Sequence, residues 1–273
     1  MKNCTVQPLK LYGAGSLKNA LNEIAQSFTI QYRIPIETQF GASGLLRDRI
    51  EQGEVVDIFA SADMGHPTKL MMLGKSGPVV NFACNRLCAF VRGDLPVNST
   101  NLLEFMLKPD IRLGTSTPQA DPSGDYAWEI FRKCDRLSPG SFAILDRKAL
   151  CLTGGRNTSK PPKGSHIAAH FILETQQADI FLTYFTAALT ARQMGIPLRV
   201  VQFPPALAVT GTCGMTLLTE AQPATSLLAM YILAPVGQAI LAKFGFDVSL
   251  AMDGSSTSVS QEKVRSRSSG WPS

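Results

Sequence analysis

Four short segments of this 273-residue chain share one grammar: a turn of small residues, a serine, and then a helical pattern. They are Gly13-Ala14-Gly15-Ser16, Gly41-Ala42-Ser43-Gly44, Asp121-Pro122-Ser123-Gly124 and Lys163-Gly164-Ser165-His166. The start of a helix leaves backbone N–H groups unpaired and carries a partial positive charge, so it attracts an anion without any charged side chain. Flanking glycines let the backbone approach a ligand closely. A serine hydroxyl at such a place can donate to the anion or turn inward and cap its own helix, and for one site alone capping is the commoner use. Two such sites in each half of the chain shift the balance toward a small oxyanion held by neutral donors.

Other chemistry is thinly supported. Cys213 in GTCG has no evident base or oriented His/Asp partner, so nucleophilic catalysis is not expected. Asp121 and Asp125 are accounted for by a turn and a helix start rather than by a paired-carboxylate site. His66, His166 and His170 make no ligand triad, and no cysteine or histidine spacing suits zinc. Cys84 and Cys88, four apart in an apolar run, read as small core residues, whereas Cys134 and Cys151 could pair across a loop. The glycine-rich basic segment LTGGRNTSKPPK (152–163) lacks the Walker pattern and reads as a solvated loop. No cofactor signature is present.

The elements that must position the serines alternate between strand and helix, which argues for an α/β layered fold. Lys10–Gly13 reads as a strand, and Leu17, Leu21, Ile24, Ala25 and Phe28 recur on one helical face behind Ser16. Pro35–Phe40 is a second strand. Ser43 opens a helix that Gly53 stops, Val55–Ser61 reads as a buried strand, and Pro67 starts the next helix. Asn85–Arg92 and Leu198–Phe203 are β-rich segments that enclose an insert with its own α/β pattern. Within it, Arg112–Thr115 and Ala178–Tyr184 read as strands, and Ser123 and Ser165 each precede a helix. Leu207–Thr212 then gives a strand and the run from Ser226 to Phe244 a helix. Two lobes follow, 8–84 with 204–248 and 85–203, and the serine-rich segment 249–273 is expected to be a disordered tail.

Composition agrees with a folded body. Charged residues make up only 17% of the chain, against roughly 25% in typical soluble domains, while the apolar share of 45% is ordinary. The net charge of +5 is too diffuse for a nucleic-acid surface and lies largely in segment 146–163 and the tail. Two uncharged stretches, Val200–Thr219 and Ala221–Ala242, have the length of a membrane span, but their prolines and glutamines favour buried strands and helices. Met1–Pro8 has one basic residue, Lys2, and no apolar stretch of a signal peptide, which leaves a cytoplasmic location or a removed leader.

Seven segments in order also carry a resemblance. AGSL at 14–17, GASG at 41–44, VDIFASAD at 56–63, NRLCAFV at 85–91, DPSGDYA at 121–127, ADIFLTY at 178–184 and LAPVGQAILAKFGF at 233–246 resemble the periplasmic molybdate-binding proteins of ABC importers. The resemblance implies an α/β, two-lobed periplasmic-binding-protein-like fold, each lobe a mixed sheet flanked by helices, joined by two hinge strands. It implies a monomeric, non-enzymatic protein of the periplasm that binds molybdate or tungstate and delivers it to the membrane permease. Position by position, it implies Ser16 and Ser43 as hydroxyl donors, Ser123 and His166 as backbone N–H donors, and Tyr184 as a phenol donor. No direct cation ligand is implied.

The chain departs from that pattern at Ser123, where alanine is common, and at His166, usually aliphatic. His166 as a cation would strengthen anion binding at low pH, although a satisfied surface histidine is the commoner case. Asp125 would repel a dianion if it faced the cleft. The basic loop has no clear counterpart, and it could face the importer or the ligand entrance. A cytoplasmic oxyanion sensor using the same clamp, and a binder of sulfate or another small anion, are the competing expectations.

Overall fold

The computed structural model describes residues 7–159, 161–162 and 164–248, so the expected tail at 249–273 lies outside the described residues. Strand β1 (Leu9–Ala14) passes through a 3₁₀ turn at Gly15–Leu17 into helix α1 (Lys18–Tyr32). Leu21, Ile24, Ala25 and Phe28 bury one face of α1, and a side chain the size of Phe28 contributes about 1.5–3 kcal/mol on leaving water. Next come β2 (Ile36–Gly41), α2 (Ser43–Glu51), β3 (Ile58–Ser61) and α3 (Gly65–Met72). Gly53 closes the end of α2 at φ 98°, a conformation that glycine takes without side-chain strain. Helix α3 begins two residues before Pro67, which stands in its first turn.

Strand β4 (Val80–Val91) is followed by α4 (Leu102–Leu107), β5 (Leu113–Ser116), α5 (Pro122–Leu137), α6 (Ser141–Lys148) and β6 (Leu150–Thr153). Then come α7 (Ile167–Ala169), a π turn at His170–Glu174, β7 (Ile180–Tyr184), α8 (Thr186–Gln193), β8 (Arg199–Gln202) and β9 (Thr210–Leu217). Helices α9 (Thr225–Leu233) and α10 (Pro235–Lys243) complete the order.

The strands form one mixed sheet in the order β2-β1-β3-β9-β4-β7-β5-β6, with β8 also paired to β4. Strand β4 serves both lobes. Its residues Val80–Arg86 pair with β9, and Leu87–Val91 pair with β7 and β8, all antiparallel. Within each lobe the strands that carry the serine turns are parallel neighbours: β1 with β2 and β3, and β5 with β6 and β7. Parallel neighbours end at the same edge, so their strand-to-helix turns collect there.

Several sequence expectations need correction. β4 starts five residues before Asn85 because its first half is a ladder of the first lobe. The segment 152–163, expected as a solvated loop, begins with the last two residues of β6, which pairs with β5. The helix expected after Ser165 is three residues of α-helix and a π turn, since the Phe171 carbonyl accepts from both Gln177 and Ala178 as the chain leaves. The helical run after Ser226 is two helices bent by 61° at Ala234-Pro235. Among the described residues no single helix is long and apolar enough to cross a membrane, and this bent pair is the one that passes by length and composition. Leu228, Tyr231, Ile232 and Leu241 of that pair are buried in the core, and Tyr231 Oη hydrogen-bonds Ser27 Oγ of α1 at 2.7 Å. Cys134 and Cys151 are both free thiols.

Candidate anion-binding site between the lobes

In the first lobe, β1 and β2 run in register from Leu9↔Ile36 to Ala14↔Gly41. Ser16 and Ser43 each lie two residues beyond the last pair, so both stand at the same sheet edge. Neither turns inward as a cap: no side-chain cap bond is made at the starts of α1 and α2. Ser16 Oγ is buried without a hydrogen-bond partner among the described residues. Ser43 is fully buried, and its Oγ accepts the Ala62 N–H at 3.2 Å. A hydroxyl that accepts in this way keeps its single O–H available to donate. The β3–α3 turn that supplies Ala62 is itself fixed by Ser61 Oγ, which donates to Asp63 at 2.6 Å.

In the second lobe, β5 and β7 are parallel neighbours, and Tyr184 ends β7 beside the turn that leads from β5 into α5. Its hydroxyl is buried without a partner among the described residues. Burial, with the carboxylate of Asp121 nearby, pushes the phenol well above its ordinary range, so it remains a donor. The Tyr184 ring lies 6.4 Å, edge to face, from that of Tyr126, which itself packs against Gly211 of the first lobe. Phe185 takes the packing role at the strand end, against the second apolar cluster and the Arg86 guanidinium.

The Ser123 N–H and the His166 ring are placed differently from expectation. Asp121, not the serine, caps α5: its Oδ1 accepts the Ser123 N–H at 3.1 Å and its Oδ2 accepts Ser116 Oγ at 2.7 Å. The Ser123 N–H is therefore already engaged by a carboxylate, although the residue is buried at the expected helix start. His166 is buried rather than on the surface, and both ring nitrogens are committed. Nε2 donates to the Ala187 carbonyl at 2.9 Å, and Nδ1 accepts the Ala169 N–H at 3.4 Å as the cap of α7. Burial holds its pKa below the usual histidine range, so a cationic role for this ring is not supported. Lys163 of the fourth turn lies outside the described residues.

The lobes touch beside these hydroxyls. The Gly44 N–H at the start of α2 donates to the Ala120 carbonyl at 2.9 Å. A Cβ on Gly44 would lie 2.6 Å from the Gln119 carbonyl oxygen, so only glycine permits this approach. Gln119 adopts φ 66°, and its N–H donates to Asp125 at 2.9 Å. Asp125 thus braces the turn. It also lines, with Asp63, Tyr126, Thr210 and Thr212, an open cavity of about 410 Å³ between the lobes. Burial, aided by the Asp63 and Asp121 charges, raises its carboxyl above the usual range. Two carboxylates line that cavity, and Ser16, Ser43 and Tyr184 are not among its lining residues.

Sequence reasoning missed Asp121 as a cap, the Gly44–Ala120 contact and Arg156, whose guanidinium pairs with Asp48 of α2. An Asp directly before Pro at a helix start is a capping signal, whereas contacts between lobes leave no periodic trace. Cys213 is fully buried, and burial pushes its thiol up, so it is not an activated nucleophile.

A two-lobed α/β chain with strand-to-helix turns facing each other across a cleft has the build of a solute-binding protein. Residues 9–247 match the family described as bacterial extracellular solute-binding protein, and the chain belongs to that family. It is 36% identical over 186 residues to an uncharacterized protein of Pasteurella multocida, covering 68% of this chain and 77% of that one. It is 28% identical over 163 residues to the molybdate-binding protein ModA of Escherichia coli, covering 51% of this chain and 61% of that protein. A putative ABC transporter substrate-binding lipoprotein, YvgL of Bacillus subtilis, is 33% identical over 69% of this chain and 66% of its own length. Among solved structures, the periplasmic molybdate-binding protein of Azotobacter vinelandii superposes with a TM-score of 0.68 at 19% identity, covering 88% of this chain and 99% of that one. The sulfate-binding protein SubI of Mycobacterium tuberculosis superposes at 0.72 with 15% identity, covering 90% and 88%. These two likenesses speak for the fold.

Proposed function

We propose that this chain is the solute-binding subunit of an ABC importer, acts outside the cytoplasmic membrane, and captures a small tetrahedral oxyanion, molybdate or tungstate, between its lobes. The observation that carries the proposal is that two hydroxyls, Ser16 from one lobe and Tyr184 from the other, are buried without a hydrogen-bond partner among the described residues. A buried hydroxyl without a partner costs roughly 1–3 kcal/mol, a penalty that a ligand accepting from both would remove. Ser43 adds a third O–H, and all three donors are neutral. A dianion desolvated among fixed donors needs no counter-ion, because each charge-assisted hydrogen bond is short and strong.

Burial limits the ligand's size. Ser43 is 0% and Tyr184 4% exposed, so the hydroxyls suit a compact anion enclosed by closure better than a long organic one. Contact with both lobes is also what lets an anion drive closure, since only a ligand that binds the closed form more tightly shifts the balance. The permease then meets a closed subunit. The named molybdate-binding relative and the seven-segment resemblance favour molybdate or tungstate. Sulfate is the second reading, favoured by the likeness to SubI. A thermal-shift panel of molybdate, tungstate, sulfate and phosphate separates them. Molybdate and tungstate should raise the melting temperature at concentrations where phosphate does not. A shift with sulfate alone would move the assignment to sulfate, and no shift with any of the four would reject oxyanion capture.

A further inference from the structure

The basic segment after β6 has no part in the hydroxyl site, yet it reaches across the cleft. Arg156, an exposed residue on that loop, places its guanidinium on Asp48 Oδ2 of α2 in the opposite lobe. The loop's root is anchored in its own lobe, where the Thr153 carbonyl accepts the Thr117 N–H at 2.9 Å and the Thr117 hydroxyl at 2.8 Å, and the loop folds on itself through the Gly155 N–H donated to Thr158 Oγ1 at 3.1 Å. Asp48 is oriented on its side by Arg47, which donates to Oδ1 at 2.5 Å. One turn earlier on α2, the Gly44 N–H makes its bond to Ala120 of the second lobe. Two contacts on one helix, one charged and one backbone, thus span the cleft beside Ser43.

We propose that Arg156 and Asp48 form an electrostatic latch that holds the lobes closed over the site and sets how much of the ligand-free protein is closed. The latch does not depend on which anion binds, so it goes beyond the function proposed above. Its effect on binding is direct: apparent affinity scales with the fraction of protein already in the binding-competent form. Burial alone would favour a neutral Asp48, but the hydrogen bonds and charges of Arg47 and Arg156 hold its carboxyl below the usual range, so the pair stays ionised at neutral pH. Because Arg156 is exposed, the latch is weak enough to release and is sensitive to salt.

Amide hydrogen exchange of the full chain, without added anion, reads the latch at one atom. The Gly44 N–H is protected only when the lobes are together. The Asp57 N–H, donated to Lys10, and the Asp179 N–H, donated to Arg112, report each lobe alone. In Arg156→Gln at low salt, Gly44 exchange should quicken roughly two- to five-fold, the range of an exposed ion pair, with Asp57 and Asp179 unchanged. Arg156→Lys should lie between the two, and 1 M NaCl should erase the difference. Equal Gly44 exchange in wild type and Arg156→Gln would overturn the latch. So would equal acceleration at all three amides, which would mean a loss of general stability. Failure of molybdate to bind would leave this result standing, and the latch can fail while anion binding holds.

Discussion

In the proposed function, Tyr184 Oη and Ser16 Oγ carry the chemistry at the scale of single residues. Each is a donor enclosed in protein with no acceptor of its own among the described residues, and a fold retains such groups at a cost. The sign of that cost gives a test. Tyr184→Phe should leave the ligand-free protein as stable as wild type or up to about 1 kcal/mol more stable by chemical denaturation, while weakening anion binding. A core tyrosine with an ordinary packing role would show the reverse order: lost stability and unchanged binding. His166 illustrates the opposite case. Its ring caps α7 and donates to Ala187, so a cationic ring has no nitrogen left to offer an anion, whereas the expected ligand contact was the backbone N–H, a separate group.

At the scale of elements, the helix starts do two jobs that the sequence alone does not separate. The turn before α1 and the start of α2 leave serine hydroxyls uncapped and free to donate, whereas α5 is capped by Asp121. Helix α2 also touches the other lobe, and the closeness of Gly44 to the Gln119 and Ala120 carbonyls makes its missing side chain a condition of closure. Gly44→Ala should therefore keep the circular dichroism of wild type yet weaken anion binding ten-fold or more, because the lobes stop short. Solution scattering should show no compaction of this variant on adding molybdate. Compaction like that of wild type would remove the steric role.

Elements whose residues report on their own surroundings were legible in advance. The face of α1 and the apolar runs of β3 and β7 follow from burial periodicity, and the glycine after α2 from its φ. Strand β4 was read short because Asn81 and Asn85 interrupt its apolar pattern, although Asn85 is buried and its Nδ2 donates to Thr186. The π turn after α7 escaped notice because HIAAHFILET has a helical pattern and is diverted only by the tertiary bonds of Phe171. For the site, the residue types at 16, 43 and 184 were readable from strand-turn-helix grammar and family resemblance. Which N–H groups are already spent on Asp121 or Ala120 was not, since that depends on three-dimensional neighbours.

For the whole molecule, low charge has a mechanical meaning. The sheet runs unbroken through β4, and the contacts between the lobes include a glycine, a strained turn, an exposed ion pair, the Lys133 ammonium on the Ala208 carbonyl and the Tyr126 ring against Gly211. The three proposed donors are neutral hydroxyls, so in the proposed function discrimination rests on donor geometry and enclosure rather than on net charge. The central claim is that neutral hydroxyls from both lobes grip one oxyanion. Calorimetric titration with molybdate of the wild type, Ser16→Ala and Tyr184→Phe tests it most directly. The account predicts one anion per chain and, in each variant, binding weaker by about 1.5–3 kcal/mol, as for a lost hydrogen bond to a charged group. Wild-type affinity in both variants, or no heat of binding in any of the three proteins, would contradict it.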